Sequence, residues 1–358
     1  MADPLDILKM PGEGLLTVTT GSGQARRVLG PWIAEHSESQ WRRLAARRRA
    51  APGPQILALP SDAGGGICRG AAHGPLQLRA HLYARHPSFA AADLGDIPCI
   101  PQLLDDGMLA PKQLRASGRA LWGAAWKTST PVSPLNLLKS FLVQGFGSNP
   151  AGFRPLVLGG DHSTSWAVSE ALFDVGLFDT LAVLHFDAHT DLLEQRYGVA
   201  HCFATWAAHA ARRLRPQARA NFVQVGVRVS GRSRSHWEKT YGLRQIWADE
   251  ARARDPVEFA RELVSAWKKR GCRRLYISFD VDALDPSFVP STGTPEAKGL
   301  NPAWCRQVIR ACARELPLVA ADIVELAPVL GSASQSRRSC ETAARVAATL
   351  FEGLRRGL

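Results

Sequence analysis

Short apolar runs alternate with longer amphipathic stretches along most of this 358-residue chain. Residues 181–184 are continuously apolar, which is typical of a strand buried on both faces, and a helix-like stretch at 201–214 follows them. The alternation predicts a parallel sheet that is covered on both faces by helices. The predicted strands are 55–59, 155–158, 181–186, 221–225, 274–279 and 318–323, and the predicted helices are 75–85, 163–173, 201–214, 256–270, 302–315 and 339–356.

The first 55 residues differ from the rest of the chain. They contain few strand patterns, include a basic helix candidate at 35–51, and end in a turn-forming cluster at 51–54. The sequence therefore predicts an N-terminal extension over 1–55 and a main domain over 56–358.

The composition disfavours several classes of protein. The formal charge of +12 comes mostly from arginines spread along the chain, so we expect solvated surfaces and no nucleic-acid partner. The seven cysteines are scattered and include no C-x-x-C pair, which disfavours a disulfide framework or a structural zinc cluster. No apolar run is long enough to cross a membrane and no secretion signal is seen, so we expect a cytoplasmic protein with no membrane partner.

Metal-binding side chains follow two of the predicted strands. Asp187, His189 and Asp191 alternate after the strand at 181–186, and Asp280 and Asp282 alternate after the strand at 274–279. Since successive side chains of a strand point to opposite faces, the members of each group should project the same way. Parallel strands end at one edge of the sheet, so these groups should meet. Such buried negative charge requires compensation by cations, which predicts a dinuclear metal site.

A histidine follows a third predicted strand. His162 comes after two glycines at a strand-to-helix turn, where the backbone can approach closely. With it, the chain supplies six side chains for two divalent ions. Mixed imidazole and carboxylate ligands favour Mn²⁺, with Ni²⁺, Co²⁺ or Fe²⁺ as alternatives. The six predicted ligands are His162, Asp187, His189, Asp191, Asp280 and Asp282.

Three segments resemble the signature motifs of the ureohydrolase superfamily, which includes arginase and agmatinase. They lie at 159–163 (GGDHS), 185–191 (HFDAHTD) and 278–286 (SFDVDALDP), and weaker matches extend the resemblance to about residues 60–355. The match is nearest to the agmatinase-like branch. It implies a three-layer α/β/α fold with a central, mostly parallel sheet, a ureohydrolase catalytic domain at 56–358, and a homo-oligomer, either a trimer or a hexamer.

The resemblance also implies a reaction. Asp187 and Asp280 would bridge two metal ions, and metal-bound hydroxide would attack a guanidino carbon and release urea with an amine or ammonia. Glu325 would pair with the guanidinium, and His201 would act as the acid or proton shuttle. Thr294 would hydrogen-bond the nucleophile or the substrate, and a role in stabilising its turn is equally open.

The substrate and three other functions stay open at this point. Agmatine, a guanidino acid, free guanidine, an alkylguanidine and a biguanide are candidate substrates, and the Arg-rich loop at 227–234 would favour an acidic tail. Cys202 and Lys298 depart from the family pattern and put the substrate in doubt. The alternatives are a formimino hydrolase, a regulatory subunit that assembles with an active paralogue into a hetero-oligomer, and a single-zinc deacylase related to histone deacetylases.

Overall fold

The computed structural model describes residues 8–16, 28–29, 38–150 and 152–356. Its strands are β1 Gly53–Leu59, β2 Asp93–Asp96, β3 Phe153–Gly159, β4 Leu181–Phe186, β5 Phe222–Val227, β6 Arg244–Trp247, β7 Arg274–Asp280 and β8 Leu318–Val324. They form one eight-stranded sheet in the order β2-β1-β3-β8-β7-β4-β5-β6. Each of these neighbouring pairs is parallel, which confirms the predicted sheet.

Helices connect the strands and cover both faces of the sheet. The α-helices are α1 Glu38–Ala50, α2 Gly74–Arg85, α3 Pro111–Trp122, α4 Pro134–Ser148, α5 Thr164–Asp174, α6 Trp206–Arg213, α7 Arg234–Tyr241, α8 Ala248–Arg252, α9 Pro256–Lys269, α10 Pro302–Glu315 and α11 Ala333–Arg356. Short 3-10 turns include Asp106–Met108 and Val281–Ala283. Within the described residues, no helix combines the length and apolar character needed to cross a bilayer.

Alternating side chains of each strand supply two separate cores. In β1, Ile56 and Ala58 belong to the core under α2, α9, α10 and α11, whereas Leu57 and Leu59 belong to the core under α4, α5, α6 and α7. The same alternation explains why the central strands are apolar throughout, since neither of their faces reaches water. The three-layer α/β/α architecture is therefore confirmed.

The bounds of the predicted elements are correct to within about two residues for most of them, and 181–186 and 302–315 are unchanged. The helix predicted from residue 201 begins at Trp206, because residues 201–205 form a turn in which Thr205 Oγ1 accepts a hydrogen bond from Cys202 N at 2.9 Å. The last helix begins at Ala333, six residues before its predicted start. The pattern missed β2, β6 and the helices α3, α4, α7 and α8, several of which are too short to show a periodicity.

Residues 8–16 lie against the edge of the sheet. Lys9 forms an antiparallel bridge with Asp96 of β2, and the Asp96 carboxylate accepts hydrogen bonds from Gly12 N and Gly14 N at 2.9 and 3.0 Å. Trp41 of α1 is buried in the adjoining core. The helix predicted at 35–51 corresponds to α1, and residues 35–37 lie outside the described part. Much of 1–55 does as well, so the boundary at residue 55 stays a prediction.

A buried arginine joins α2 to this edge. Arg79 is fully buried, and its Nε and Nη2 atoms donate to the two carboxylate oxygens of Asp93 at 2.8 and 2.9 Å. Its Nη1 atom donates to Asp96, and the Tyr83 hydroxyl donates to Asp93. Because the charges of Arg79, Asp93 and Asp96 are out of water, removal of the Arg79 guanidinium would leave two buried carboxylates without their ion-pair partner.

We expect Arg79→Met to lower the free energy of unfolding by about 3–5 kcal/mol, the usual cost of breaking a buried ion pair. Urea unfolding followed by circular dichroism measures the change. Arg85→Met is the matched control, since Arg85 lies on the same helix and pairs with Glu341 at 3.4 Å in an exposed position. The control should lose less than about 1 kcal/mol. Equal stability of the two variants would contradict the role given to Arg79.

Candidate metal centre

The predicted site residues follow four strands that are neighbours in the middle of the sheet. In the strand order, β3, β8, β7 and β4 are adjacent. His162 follows β3, Asp187 follows β4, Asp280 is the last residue of β7, and Glu325 follows β8. Their shared position at the carboxyl edge explains how residues that are distant in the chain meet at one point.

One group of ligand atoms surrounds a histidine nitrogen. His162 Nδ1 lies 2.9 Å from Asp191 Oδ2 and 3.2 Å from Asp187 Oδ2 and Asp280 Oδ2. All four side chains are buried. His162 Nδ1 and Asp191 Oδ2 nevertheless have no hydrogen-bond partner, because their short contact lacks hydrogen-bond geometry. Orphaned buried atoms that point at a common position are what a bound cation would satisfy.

A second group shares one carboxylate with the first. His189 Nδ1 lies 3.0 Å from Asp282 Oδ2 and 3.5 Å from Asp187 Oδ1. The other Asp187 oxygen, Oδ2, belongs to the group around His162. One carboxylate that offers a separate oxygen to each group is a suitable bridge between two ions. The structure thus brings all six predicted ligands together.

The pKa values of several predicted ligands are shifted because negative charges are crowded at this edge of the sheet. Burial raises the pKa of Asp280 well above its ordinary value, and the charges of Asp282 and Asp187 add to the effect. Burial and Asp187 also raise the pKa of Asp191 to about 7. Burial would lower the pKa of His189, but Asp282 and Asp187 raise it to about 12. Divalent cations would supply the missing positive charge and favour the ionised carboxylates.

The ligand side chains converge because the chain turns after each strand. The expected alternation of these side chains along a continuing strand is therefore wrong. The strand β4 ends at Phe186, and Asp187 Oδ1 then accepts a hydrogen bond from His189 N at 2.6 Å. Asp191 has a left-handed φ of 50°, a backbone conformation that residues other than glycine adopt at a cost in free energy. An aspartate that accepts from the amide two residues later turns the chain locally, and Asp280 does the same with Asp282 N at 2.8 Å.

Neighbouring polar groups fix which nitrogen of His162 faces the carboxylates. The Ser278 hydroxyl donates to Asp322 Oδ1 at 2.8 Å and lies 3.0 Å from His162 Nε2. Since that hydroxyl has already donated its proton, it accepts from Nε2–H, which leaves the lone pair of Nδ1 directed at the carboxylate oxygens. The sequence patterns did not identify Ser278 and Asp322 as residues that orient His162. A polar residue inside an otherwise apolar strand would have indicated such a role.

His185 supports the shared carboxylate. Its Nε2 atom lies 2.8 Å from Asp187 Oδ2, and its Nδ1 atom accepts from the Gln224 amide at 3.0 Å. The network therefore places the imidazole proton on Nε2, which donates to Asp187. This arrangement gives His185 a supporting role one step deeper in the strand, and it adds Gln224 to the site.

Two of the three predicted catalytic residues lie against the ligand set. Glu325 is buried, has a φ of 65°, and accepts a hydrogen bond from His162 N at 2.8 Å through Oε1. The Thr294 hydroxyl donates to Asp282 Oδ2 at 3.1 Å. Gly293 adjoins Glu325, since a Cβ on Gly293 would stand 3.9 Å from Glu325 Oε2.

The third predicted catalytic residue has different neighbours. The His201 ring stacks on Trp166 with 4.0 Å between centroids, and its Nδ1 atom is hydrogen-bonded to Asp105. His209 lies edge-on at 5.0 Å between centroids. Burial would raise the pKa of Asp105, but the hydrogen bonds from His201 and Gly107 N hold it below its ordinary value. No sequence pattern had pointed to Asp105, which lies 96 residues before His201.

Arg228 belongs to the structure of the site and not to a cationic rim. Its guanidinium donates to the carbonyl oxygens of Asp282 and Glu296 at 2.7 Å each, and to those of Ala297 and Gly226 at 3.0 Å each. It therefore holds together the two turns that carry Asp282 and Thr294. In the same predicted Arg-rich loop, Arg234 pairs with Glu250 at 2.9 Å in an exposed position, so Arg228 is the arginine of this loop that is engaged within the site.

We expect Arg228→Met to lower the free energy of unfolding by about 1.5–3 kcal/mol, because several half-buried carbonyls lose a charged donor. Chemical denaturation monitored by tryptophan fluorescence measures the loss. Arg232→Met changes the same charge on an exposed side chain of the same loop and should change stability by less than about 0.5 kcal/mol. A null effect of Arg228→Met would show that the carbonyls find other partners.

Comparison with known proteins identifies the family of this chain. A family model described as the arginase family matches residues 54–353. The chain therefore belongs to the arginase family, as the three motifs had indicated.

Similar proteins of this family carry several names. A guanidinopropionase of Pseudomonas aeruginosa is 36% identical over 208 residues, which is 55% of this chain and 62% of the relative. The mitochondrial guanidino acid hydrolase of Homo sapiens is 32% identical over 183 residues, 50% and 49% of the two chains. An agmatinase of Bacillus subtilis is 30% identical over 203 residues, 56% and 64% of the two chains. The chain thus spans about half to two thirds of the length of these relatives.

Solved structures show the same fold at lower identity. The proclavaminate amidino hydrolase of Streptomyces clavuligerus superposes with a TM-score of 0.63 at 23% identity, over 86% of this chain and 93% of that chain. The formimidoylglutamase of Bacillus subtilis superposes with a TM-score of 0.65 at 20% identity, over 85% and 87%. At such identities these likenesses show the fold alone, and they confirm its arginase-like character.

Proposed function

We propose that this protein hydrolyses a guanidino compound with the help of two divalent metal ions, releasing urea and an amine or ammonia. The observation that carries the proposal is the position of Asp187, whose two oxygens belong to two different groups of ligand atoms. Membership of the arginase family supports the dinuclear arrangement, and the names of the similar relatives support a guanidino substrate.

The residues present fit such ions in number and in chemistry. His162 and Asp191 would hold one ion and His189 and Asp282 the other, Asp187 would be shared because it has an oxygen in each group, and the family resemblance implies the same role for Asp280. Oxygen and imidazole donors without thiolates suit Mn²⁺, and Ni²⁺ is the alternative. When bound, divalent ions lower the pKa of water and so supply a nucleophile at neutral pH.

Glu325 is the candidate anchor for the guanidinium. Its Oε1 atom is occupied by His162 N, whereas Oε2 faces the space that Gly293 leaves by lacking a side chain. A planar guanidinium donor can approach a carboxylate oxygen in such a space and form a charge-assisted hydrogen bond. Thr294, already bonded to Asp282, would help to position the reacting group.

His201 is the candidate proton donor for the departing amine. The ionised Asp105 carboxylate fixes the proton on Nδ1, which leaves Nε2 to exchange a proton with the substrate. Trp166 holds the plane of the ring by stacking. Asp105 therefore acts through His201 and not on the substrate itself.

Removal of metal should abolish hydrolysis. We expect dialysis against a chelator to stop urea release and Mn²⁺ to restore it, with about two ions per chain by elemental analysis, as the ligand count requires. Asp280→Asn should lower kcat/KM by at least about 10³-fold, because it removes a charge from both ion sites. Asp249→Asn, which changes an exposed carboxylate on α8, is the control and should retain activity.

Two outcomes would contradict this function. Urea release that persists after complete removal of metal would exclude the metal-dependent reaction. Formamide as the product, with no urea, would favour formimino hydrolysis by the same site.

The proton path has its own test. We expect His201→Asn to lower kcat by about 10²–10⁴-fold with little change in KM, the range found for general acid–base residues. Asp105→Asn should lower kcat by about tenfold, since it weakens the orientation of the ring but keeps its chemistry. His236→Asn, an exposed histidine on α7, is the control. If His201→Asn raised only KM, His201 would bind substrate and not transfer a proton.

We also propose a cytoplasmic homo-oligomer, a trimer or a hexamer, on the basis of the family resemblance. All seven cysteines are free, which supports a reducing compartment. Sedimentation of the purified chain would distinguish these assemblies from a monomer and from an obligatory complex with a paralogue.

A further inference from the structure

A cavity of about 820 Å³ opens beside the candidate metal centre. Its walls are formed by residues from the three loops 62–69, 101–109 and 196–203. The first loop contacts two residues that adjoin the site: Gly64 N donates to the carboxylate of Asp161, which precedes His162, at 2.9 Å, and Cys68 O lies 3.0 Å from where a Cβ would stand on Gly293, which precedes Thr294. The third loop carries His201. A substrate held at Glu325 would therefore extend its other end into this cavity.

The charged side chains that line the cavity are unequally engaged. Asp62 accepts a hydrogen bond from Gly70 N at 2.8 Å, and Asp105 is bonded to His201. In contrast, Arg69 and Arg196 form no ion pair with any acid in the described part of the chain. The carboxylates accept hydrogen bonds from groups of the protein, whereas the two guanidinium groups keep donors for a ligand, so the cavity offers cationic hydrogen-bond donors to an anion.

Both arginines lie close to one apolar surface. The Arg196 guanidinium carbon is 5.1 Å from the centre of the Phe203 ring. The edge of that ring lies 3.6 Å from where a Cβ would stand on Gly66, and Arg69 Nη1 lies 3.6 Å from the same position on Gly65. Neighbouring glycines and an aromatic ring thus adjoin the two cations and provide a surface for methylene groups.

We infer that the substrate is a guanidino acid whose carboxylate binds to Arg69 and Arg196 while its methylene chain lies against Phe203. Arginine suits this task because its planar fork can donate two parallel hydrogen bonds to one carboxylate. A cationic tail, such as the amine of agmatine, would meet like charges and be disfavoured. The inference rests on the proposed function and makes it more specific.

The test uses the full chain loaded with Mn²⁺ and three kinds of guanidino compound. 3-Guanidinopropionate and 4-guanidinobutyrate carry an acid, butylguanidine carries no second charge, and agmatine carries an amine. The wild type should prefer the acids, and the double variant Arg69→Met/Arg196→Met should lose about 10- to 100-fold of kcat/KM for them, mainly through KM. Its kcat/KM for butylguanidine should change by less than about threefold, because that compound has no carboxylate to lose.

Two further variants sharpen the result. Arg69→Glu/Arg196→Glu should shift the preference from the acids towards agmatine, since the cavity then presents negative charge. Arg261→Met removes a charge from an exposed position on α9 and should leave the preference unchanged, which controls for net charge.

The outcomes separate this inference from the proposed function. Hydrolysis of butylguanidine or agmatine in preference to the acids by the wild type would overturn the inference and leave the function intact. An equal loss on butylguanidine and on the acids in the double variant would also overturn it, because the arginines would then act on the fold. Absence of urea from every compound would refute the function, and the inference with it.

Discussion

The buried carboxylate of Asp187 is the interaction on which the rest of the site depends. One of its oxygens lies near His162 and the other near His189, and His185 donates a hydrogen bond to the oxygen near His162. A single buried carboxylate with this many partners is fixed in position and cannot be solvated by water. Its placement brings the two groups of ligand atoms together, and so determines which residues would hold two cations side by side.

The order of the strands provides that placement. The strands β3, β8, β7 and β4 lie side by side although they are spread over nearly half of the chain. Each ends at the same edge, and two of the turns that follow begin with an aspartate that accepts a hydrogen bond from the amide two residues later. The sheet supplies the approximate meeting point, and these turns direct the final side chains.

This division explains what could be predicted from the sequence. The apolar strands and the polar residues that follow them can be recognised locally, so the sheet and the residues brought together at its edge were predictable. The partners of those residues were not. Asp105 reaches His201 and Gln224 reaches His185 only through tertiary packing, and no local pattern marks either pair. The left-handed φ of Asp191 likewise depends on the whole turn.

The arginines of this chain show why composition alone is a poor guide to function. Arg79 neutralises buried acids and Arg228 binds carbonyl oxygens, so both are structural although they add to the net charge of +12. Arg69 and Arg196 form no ion pair with the residues that the structure describes, and both line the cavity beside the site. An arginine with all its donors engaged has little left for a ligand, whereas one with free donors can select a substrate. The partners of each guanidinium, and not the number of arginines, therefore identify which charges can act in recognition.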